Sequence, residues 1–255
     1  MDKEKVRDFA RSLGADVVGF AAIDDYKSPR SPDPKKILPG VRSIVVVGFK
    51  ELQGALESEF PRVGMVCRMG SIELGFSTAF RLGRFLEKET GTRAAPVAPS
   101  YPMEMSRETQ GTVADVSLRH AAVAAGLGTF GRHNLVINPE MGTQVFFTAV
   151  LSELPFESDP RVEEKLCDDC GLCVEVCPAK ALDEEGKTEV MKCLRNSQPT
   201  GIGAVIRYFS EMMGKPKEEQ LKMIRDPFFW ELYQSSFIGY TYTCFKCMAI
   251  CPIGQ

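Results

Sequence analysis

Two rhythms of apolar residues run through the first part of the chain. From Lys3 to Leu13 they stand at Val6, Phe9, Ala10 and Leu13, a helical spacing that Gly14 stops. A second helical pattern spans Ser71 to Thr90, where Ile72, Phe76, Phe80 and the pair Phe85-Leu86 recur every four to five residues and Gly91 follows. Strand-like segments lie between them. Asp16 to Ala21 is one, and Ser43 to Phe49, with its β-branched run Ile44-Val45-Val46-Val47, is another. A loop with Pro29, Pro32, Pro34 and Pro39 separates the two, and a short strand is expected near Ala94 to Ala98.

Thr112 or Asp115 is placed to cap a third helix through Arg119 to Ala125, which ends in Gly126-Leu127-Gly128. Asn134 to Asn138 and Thr143 to Leu151 read as strands joined by Pro139-Glu140-Met141-Gly142, a four-residue turn that suits a hairpin. A hairpin beside helix-connected strands predicts a mixed sheet and an α+β class.

The pattern changes near Glu157-Ser158-Asp159-Pro160, a polar stretch closed by proline. We therefore expect one α/β domain over 1–160 and a second over 161–255. The second carries a helical insert at about 197–240, with helices over Ala204 to Gly214 and Glu218 to Arg225. The aromatics Phe228, Phe229, Trp230, Tyr233, Phe237, Tyr240 and Tyr242 are expected to form a small core packed over the cysteine clusters, or else a substrate lid or partner surface.

The 255 residues are 25% charged and 44% hydrophobic, which excludes a disordered chain. A net charge of −3 without a long basic block points away from nucleic acid or an anionic membrane as the main ligand. The apolar stretches are too short to span a bilayer, so no membrane insertion is expected. The start Asp2-Lys3-Glu4-Lys5 lacks a signal-peptide core, and the expected location is cytoplasmic.

Cysteine changes the picture. Of nine cysteines, eight lie between Cys167 and Cys251. An odd, crowded set in a chain without an export signal argues against disulfides and for metal. Cys167, Cys170, Cys173 and Cys177-Pro178 follow C-x2-C-x2-C-x3-C-P, the bacterial ferredoxin spacing. Three closely spaced thiolates can wrap one cubane, and the proline step sends the fourth to another. Cys244, Cys247 and Cys251-Pro252 repeat the end of this pattern, and Cys193 is the remaining thiol.

The crossed arrangement assigns Cys167, Cys170, Cys173 and Cys251 to one [4Fe–4S] cluster, and Cys177, Cys193, Cys244 and Cys247 to the other. Structural zinc, which prefers two separated pairs per ion, is the competing reading. Cys67 has no partner in sequence and reads as a packed cysteine. Two cubanes form an electron relay, which leaves open what stands at its end.

Gly126, Gly128 and Gly131 have the spacing of a dinucleotide loop, but a helix precedes them and a strand follows, the reverse of the Rossmann order. They make either a tight connection or a bare backbone surface for a broad, flat cofactor.

The segment Ala125-Gly126-Leu127-Gly128, with Gly131, Asn134, Ile137-Asn138-Pro139 and Gly142, followed by the two cysteine motifs, resembles the epoxyqueuosine reductase and reductive dehalogenase-like family. The likeness extends to Leu13-Gly14-Ala15-Asp16 and Leu38-Pro39-Gly40-Val41-Arg42-Ser43-Ile44. It implies a corrinoid-binding α/β domain followed by a two-cluster ferredoxin domain, with cobalamin between them. Gly126, Leu127, Gly128, Gly131, His133, Asn134, Asn138 and Gly142 would then face the cofactor.

Where the family's queuosine enzyme has an aspartate acid, this chain has Thr112, and Asp115 is the nearby candidate proton donor. The expected function is a reductase that takes low-potential electrons from a ferredoxin or flavodoxin and acts on a small-molecule substrate. An electron carrier without its own substrate is the alternative. With only four residues after Cys251, tRNA is expected to be an unlikely partner.

Overall fold

The structure is a computed structural model that describes residues 1–101, 103–104, 106–109, 111–184, 187–238 and 241–253. Tyr240 of the aromatic run lies outside the described residues.

The β-branched run seen in the sequence forms the central strand β2 (Ser43–Lys50), buried on both faces up to Phe49. Burial on both faces explains why its sequence is continuously apolar rather than alternating. Strand β1 (Val17–Ala22) pairs with one edge of β2. Strand β6 (Val145–Ser152) pairs with the other edge and β3 (Ala94–Val97) lies beyond it, giving the order β1-β2-β6-β3.

Every pairing in this sheet is antiparallel, where a mixed sheet was expected. The helical crossover from β2 to β3 does leave those two strands parallel to each other. The late strand β6 slots between them, so neither has a parallel neighbour.

Helices cover both faces. On one, Val6 and Ala10 of α1 (Lys3–Ser12) and Ala79, Leu82 and Leu86 of α3 (Pro61–Thr90) pack on Phe20, Val45, Val47 and Val150. On the other, Ala121, Ala122 and Ala124 of α4 (Leu118–Ala124) meet Ile44, Val46, Ala149 and Leu151. Successive residues of β2 thus serve opposite cores, as the pleat requires.

Helix α3 ends at Gly91 (φ 70°) as expected but begins ten residues earlier, just after the short α2 (Gln53–Leu56). Its first turns carry the exposed Val63 and Val66 and two glycines, so no apolar face announces them. Pro61 at the first helical position does mark the start.

The expected hairpin over 134–151 does not form as one pair of strands. Strand β5 (Val136–Ile137) pairs with β4 (Thr129–Phe130), and the turn closes only on the bridge between Asn138 and Gly142. Asn138 explains this. Its Oδ1 accepts from the N–H of Glu140 and Met141 at 3.0 and 3.1 Å, and its Nδ2 donates to the Leu127 carbonyl at 2.8 Å. The turn is pinned to the glycine loop, and β6 leaves for the large sheet.

At the predicted boundary, Asp159 is tied to the first part. Its carboxylate takes hydrogen bonds from Lys3 (2.8 Å), Arg7 (2.6 Å) and the Phe20 N–H (3.0 Å). Burial works against its charge, but Lys3, Arg7 and the Phe20 N–H hold its pKa below the ordinary aspartate value.

Beyond it lie α5 (Leu172–Glu175), α6 (Val190–Ser197), α7 (Ile202–Met213), α8 (Lys217–Ile224), α9 (Pro227–Ser235) and α10 (Lys246–Ala249). The aromatics form a chain of ring contacts, tilted between Tyr208 and Phe229 and edge-on from Phe229 through Trp230 and Tyr233 to Phe237. Ala204 and Leu232 are the buried residues of α7 and α9, so this insert is a thin, open layer rather than a closed core.

Candidate functional site

Seven of the eight clustered cysteines lie in or beside two short helices, and Cys193 comes in on α6. Gly171, in the left-handed region at φ 81°, turns the chain into α5 after Cys170. Helix α10 carries Cys247 in the second motif. The two helices touch. Helix α10 is docked on the earlier part of the chain: Thr143 donates to the Met248 carbonyl at 2.8 Å, and the Phe245 ring lies over Gly64 of α3. A Cβ on Gly64 would stand 2.6 Å from that ring.

The thiols sort into two neighbourhoods. Cys173 is pushed above the ordinary cysteine value first by burial and then by Cys167, Cys170 and Cys251. Cys251 is raised by burial, with Cys167 and Cys170 as its thiol neighbours. Cys193 is raised by burial, then by Cys244 and Cys177. Cys247 is pushed up to about 12, by burial and then by Cys244, Cys193 and Cys177, with Cys173 of the other group the smallest contributor. Cys173, Cys193, Cys247 and Cys251 are thus disfavoured as isolated anions, a cost that bound cations would offset.

Among the described residues, no three His, Cys, Asp or Glu side chains close around a point that one metal ion could occupy. Cys170 is exposed at the rim of the first neighbourhood. Cys67 stands apart, half-buried, its sulfur accepting from the Leu52 N–H at 3.3 Å.

The first neighbourhood surrounds a small cavity of about 20 Å³ lined by Cys167, Cys170, Cys173, Cys251, Arg132 and His133. The Arg132 backbone N–H points at the Cys167 sulfur (3.4 Å). Arg132 Nε and His133 Nε2 are buried with no partner in the protein. Burial lowers the His133 pKa to about 4. Orphaned donors on a thiol-lined cavity fit an anionic sulfur-rich group.

A second concavity is larger. Two adjoining cavities of about 590 and 450 Å³ share Ser28, Pro29, Ser31 and His120. Their walls are the proline loop, Ala98 to Ser100, the segment from Thr112 into α4, and Lys187, Thr188 and Val190. Helix α6 joins this cleft to the cysteines, because Val190 lines it and Cys193 follows one turn later on the same face.

Ser117 caps α4 from the cleft side, and its hydroxyl pairs with His120 Nδ1 at 2.8 Å. Burial, then Arg119, lowers the His120 pKa. Arg119, itself lowered by burial, donates to the Asn134 carbonyl. The cations Lys27, Arg30, Lys35, Arg119 and Lys187 line the cleft, with Asp24 and Asp33 at one end.

The residues singled out from the sequence take varied places. Asn134, in the left-handed region at φ 61°, reaches the cleft. His133 reaches the cysteine cavity instead. Gly126 (φ 70°) abuts the Pro160 carbonyl, which a Cβ would approach to 2.2 Å. Gly128 abuts the Ile137 carbonyl, and Gly131 abuts the His133 ring. Leu127 is in the core, and Asn138 and Gly142 shape the turn. Asp115 is exposed and does not cap α4, while Thr112 lines the cleft. Sequence reasoning missed Ser28, Ser31, Ser117 and Thr188, small polar residues with no periodic signal.

A 4Fe-4S binding domain family matches residues 160–183. Epoxyqueuosine reductase of Staphylococcus aureus is 29% identical over 75% of this chain and 55% of its own length. That of Bacillus subtilis is 22% identical over 99% of this chain and 64% of its own. The chain therefore spans between half and two thirds of these curated relatives.

A crystal structure of epoxyqueuosine reductase with a tRNA-Tyr epoxyqueuosine-modified stem loop superposes with a TM-score of 0.60 at 21% identity, covering 99% of this chain and 65% of the other. A catabolic reductive dehalogenase in complex with 3-bromo-4-hydroxybenzoic acid gives 0.59 at 19%, covering 76% and 29%. The expectation that set tRNA aside is corrected by the first of these structures, in which a protein of the same fold holds a tRNA stem loop. Among the described residues, no helix is long and apolar enough to cross a membrane. In fold the chain is similar to epoxyqueuosine reductase and to a reductive dehalogenase, and a 4Fe-4S binding domain matches within it.

Proposed function

We propose that this protein is a cobalamin-dependent iron–sulfur reductase whose substrate is an epoxyqueuosine-type nucleoside carried on tRNA. The observation that carries the reading is α6, which bears Cys193 on the face that also walls the large cleft. Cys167, Cys170, Cys173 and Cys251 hold one [4Fe–4S] cluster near the surface. Cys177, Cys193, Cys244 and Cys247 hold the other beside the cleft. A single zinc ion needs its sulfurs about 2.3 Å away, which gathers them around one point, whereas a cubane spreads them. The exposed Cys170 marks where electrons enter, and Val190 marks where they leave.

The cleft suits cobalamin. Its two adjoining cavities of about 590 and 450 Å³ each fall within the roughly 300–1,000 Å³ of common ligand pockets, and Lys27, Arg30, Lys35 and Lys187 offer partners for the phosphate of the nucleotide tail. Bound there, cobalamin supplies a metal centre that accepts electrons singly and delivers them to substrate. The chain's own side chains orient and shield that chemistry. Ser117 fixes the His120 ring through Nδ1 and leaves Nε2 available to hold a proton. Arg119 is spent on the Asn134 carbonyl and keeps the loop closed behind the cleft.

The test is anaerobic protein with both clusters, titrated with cobalamin and then given an epoxyqueuosine-modified stem loop. The expected results are a shifted cobalt spectrum and nucleoside mass spectra showing loss of one oxygen. Cobalamin binding without that loss would reject the substrate. No spectral shift at saturating cobalamin would reject the reductase and leave an electron carrier.

A further inference from the structure

The geometry points to His133 as a hydrogen-bond donor to the cluster held by Cys167, Cys170, Cys173 and Cys251, a contact that raises that cluster's reduction potential. The inference rests on the cluster assignment proposed above. It starts from the side chain itself. His133 is 4% exposed. Its Nδ1 accepts from the Leu135 N–H at 3.1 Å, so that nitrogen carries no proton and the neutral ring bears it on Nε2. Nε2 is buried and has no partner in the protein, yet the ring lines the cavity surrounded by those four cysteines.

A buried N–H without an acceptor is destabilising, and folding does not maintain one without compensation. The sulfurs of an anionic cluster are acceptors in the right place. Arg132 repeats the observation: its Nε is also buried and unpartnered on the same cavity, and its backbone N–H already points at Cys167. The loop is shaped for this. A Cβ on Gly131 would stand 2.5 Å from His133 Cε1, so glycine is what lets the ring fold back over its own loop.

A donor to cluster sulfur stabilises the more negative, reduced state and so moves the potential upward. Removing the donor must therefore lower the potential of one cluster and leave the other, whose thiols lie elsewhere, unchanged.

Two measurements decide it. The first needs no substitution at the site. The chain has two histidines, so protein carrying ¹⁵N-histidine is reduced anaerobically and examined by pulsed EPR, alongside His120→Gln. A nitrogen coupling to a reduced cluster is expected in both. Its absence in protein that carries its iron and sulfide overturns the inference.

The second is an EPR-monitored redox titration of His133→Phe and His133→Gln. The first variant should lower one of the two midpoints, and the second, which keeps an N–H donor, should recover part of the shift. An unchanged midpoint in His133→Phe, or an equal shift in both clusters, overturns it. If His133→Phe fails to fold, the labelled protein still decides. Wild-type protein without acid-labile sulfide would sink the cluster assignment itself, a failure that iron analysis separates from that of His133.

Discussion

Replacing Cys251 with alanine tests the crossed wiring of the clusters directly. Its thiol lies beside Cys167 and Cys170, although its nearest neighbours in sequence are Cys244 and Cys247. Cys177 is the mirror case, a member of the first motif whose thiol acts on Cys193 and Cys247. A cubane that loses one of four thiolates is expected to fall apart, so Cys251→Ala should lower iron from about eight to about four atoms per chain.

The pairwise combinations sharpen this. Cys167→Ala with Cys251→Ala strikes one cluster twice and should still retain about four irons, a non-additive result. Cys244→Ala with Cys251→Ala strikes both and should retain almost none. If each motif instead served its own cluster, the first pair would empty the protein and the second would spare half. The assay is iron and acid-labile sulfide on anaerobically purified protein, with EPR of the reduced form to confirm which cluster survives. Finding the reversed pattern in the two double variants would refute the arrangement.

Other substitutions test the frame around the site. Gly126→Ala forces an L-residue into the left-handed region and brings its Cβ to 2.2 Å from the Pro160 carbonyl. We expect a loss of about 2 kcal/mol or more in chemical denaturation. Arg68 forms a two-pronged pair with the wholly buried Glu51, at 2.6 Å for each bond, among the Phe146, Tyr242 and Phe245 rings. Arg68→Ala strands that carboxylate and should cost about 3–5 kcal/mol, while Arg68→Met with Glu51→Leu should recover most of it.

Asp159→Asn should cost about 2 kcal/mol by weakening charge-assisted bonds to Lys3, Arg7 and Phe20. Because the native carboxyl titrates below the usual value, its contribution is present above the unfolded pKa and fades as pH falls through the folded one. The difference from wild type should therefore stay flat between about pH 6 and 8, and a slope there would count against this linkage. Cys67→Ala should leave the iron content unchanged by the same assay.

The sheet's strands were legible because buried β-structure announces itself: Ile44 to Val47 can be little else. Its neighbours were not. The hairpin predicted over 134–151 rested on turn chemistry, and that turn exists, but Asn138 bonds it to the Leu127 carbonyl and the paired strand becomes Thr129–Phe130. Pairing partners are chosen by tertiary contacts that a local pattern does not contain. The same holds for α3. Among its first ten residues, Gly64 is small because Phe245, far along the chain, lies on it.

At the site, the cysteines were legible because spacing encodes their chemistry, and the glycine loop was not, because glycine records only that something comes close. The sequence left a flat cofactor and a tight connection equally open. Gly126, Gly128 and Gly131 in fact meet Pro160, Ile137 and His133, groups of the protein itself. Their bareness lets one loop pack on Pro160, hold β5, and fold an imidazole toward the cysteines. The cleft meanwhile draws its walls from the proline loop, the cap of α4 and the approach to α6. These segments lie far apart in sequence, and no motif joins them. Only folding does so, placing the start of the cysteine-bearing helix α6 beside residues that alone read as an unremarkable loop.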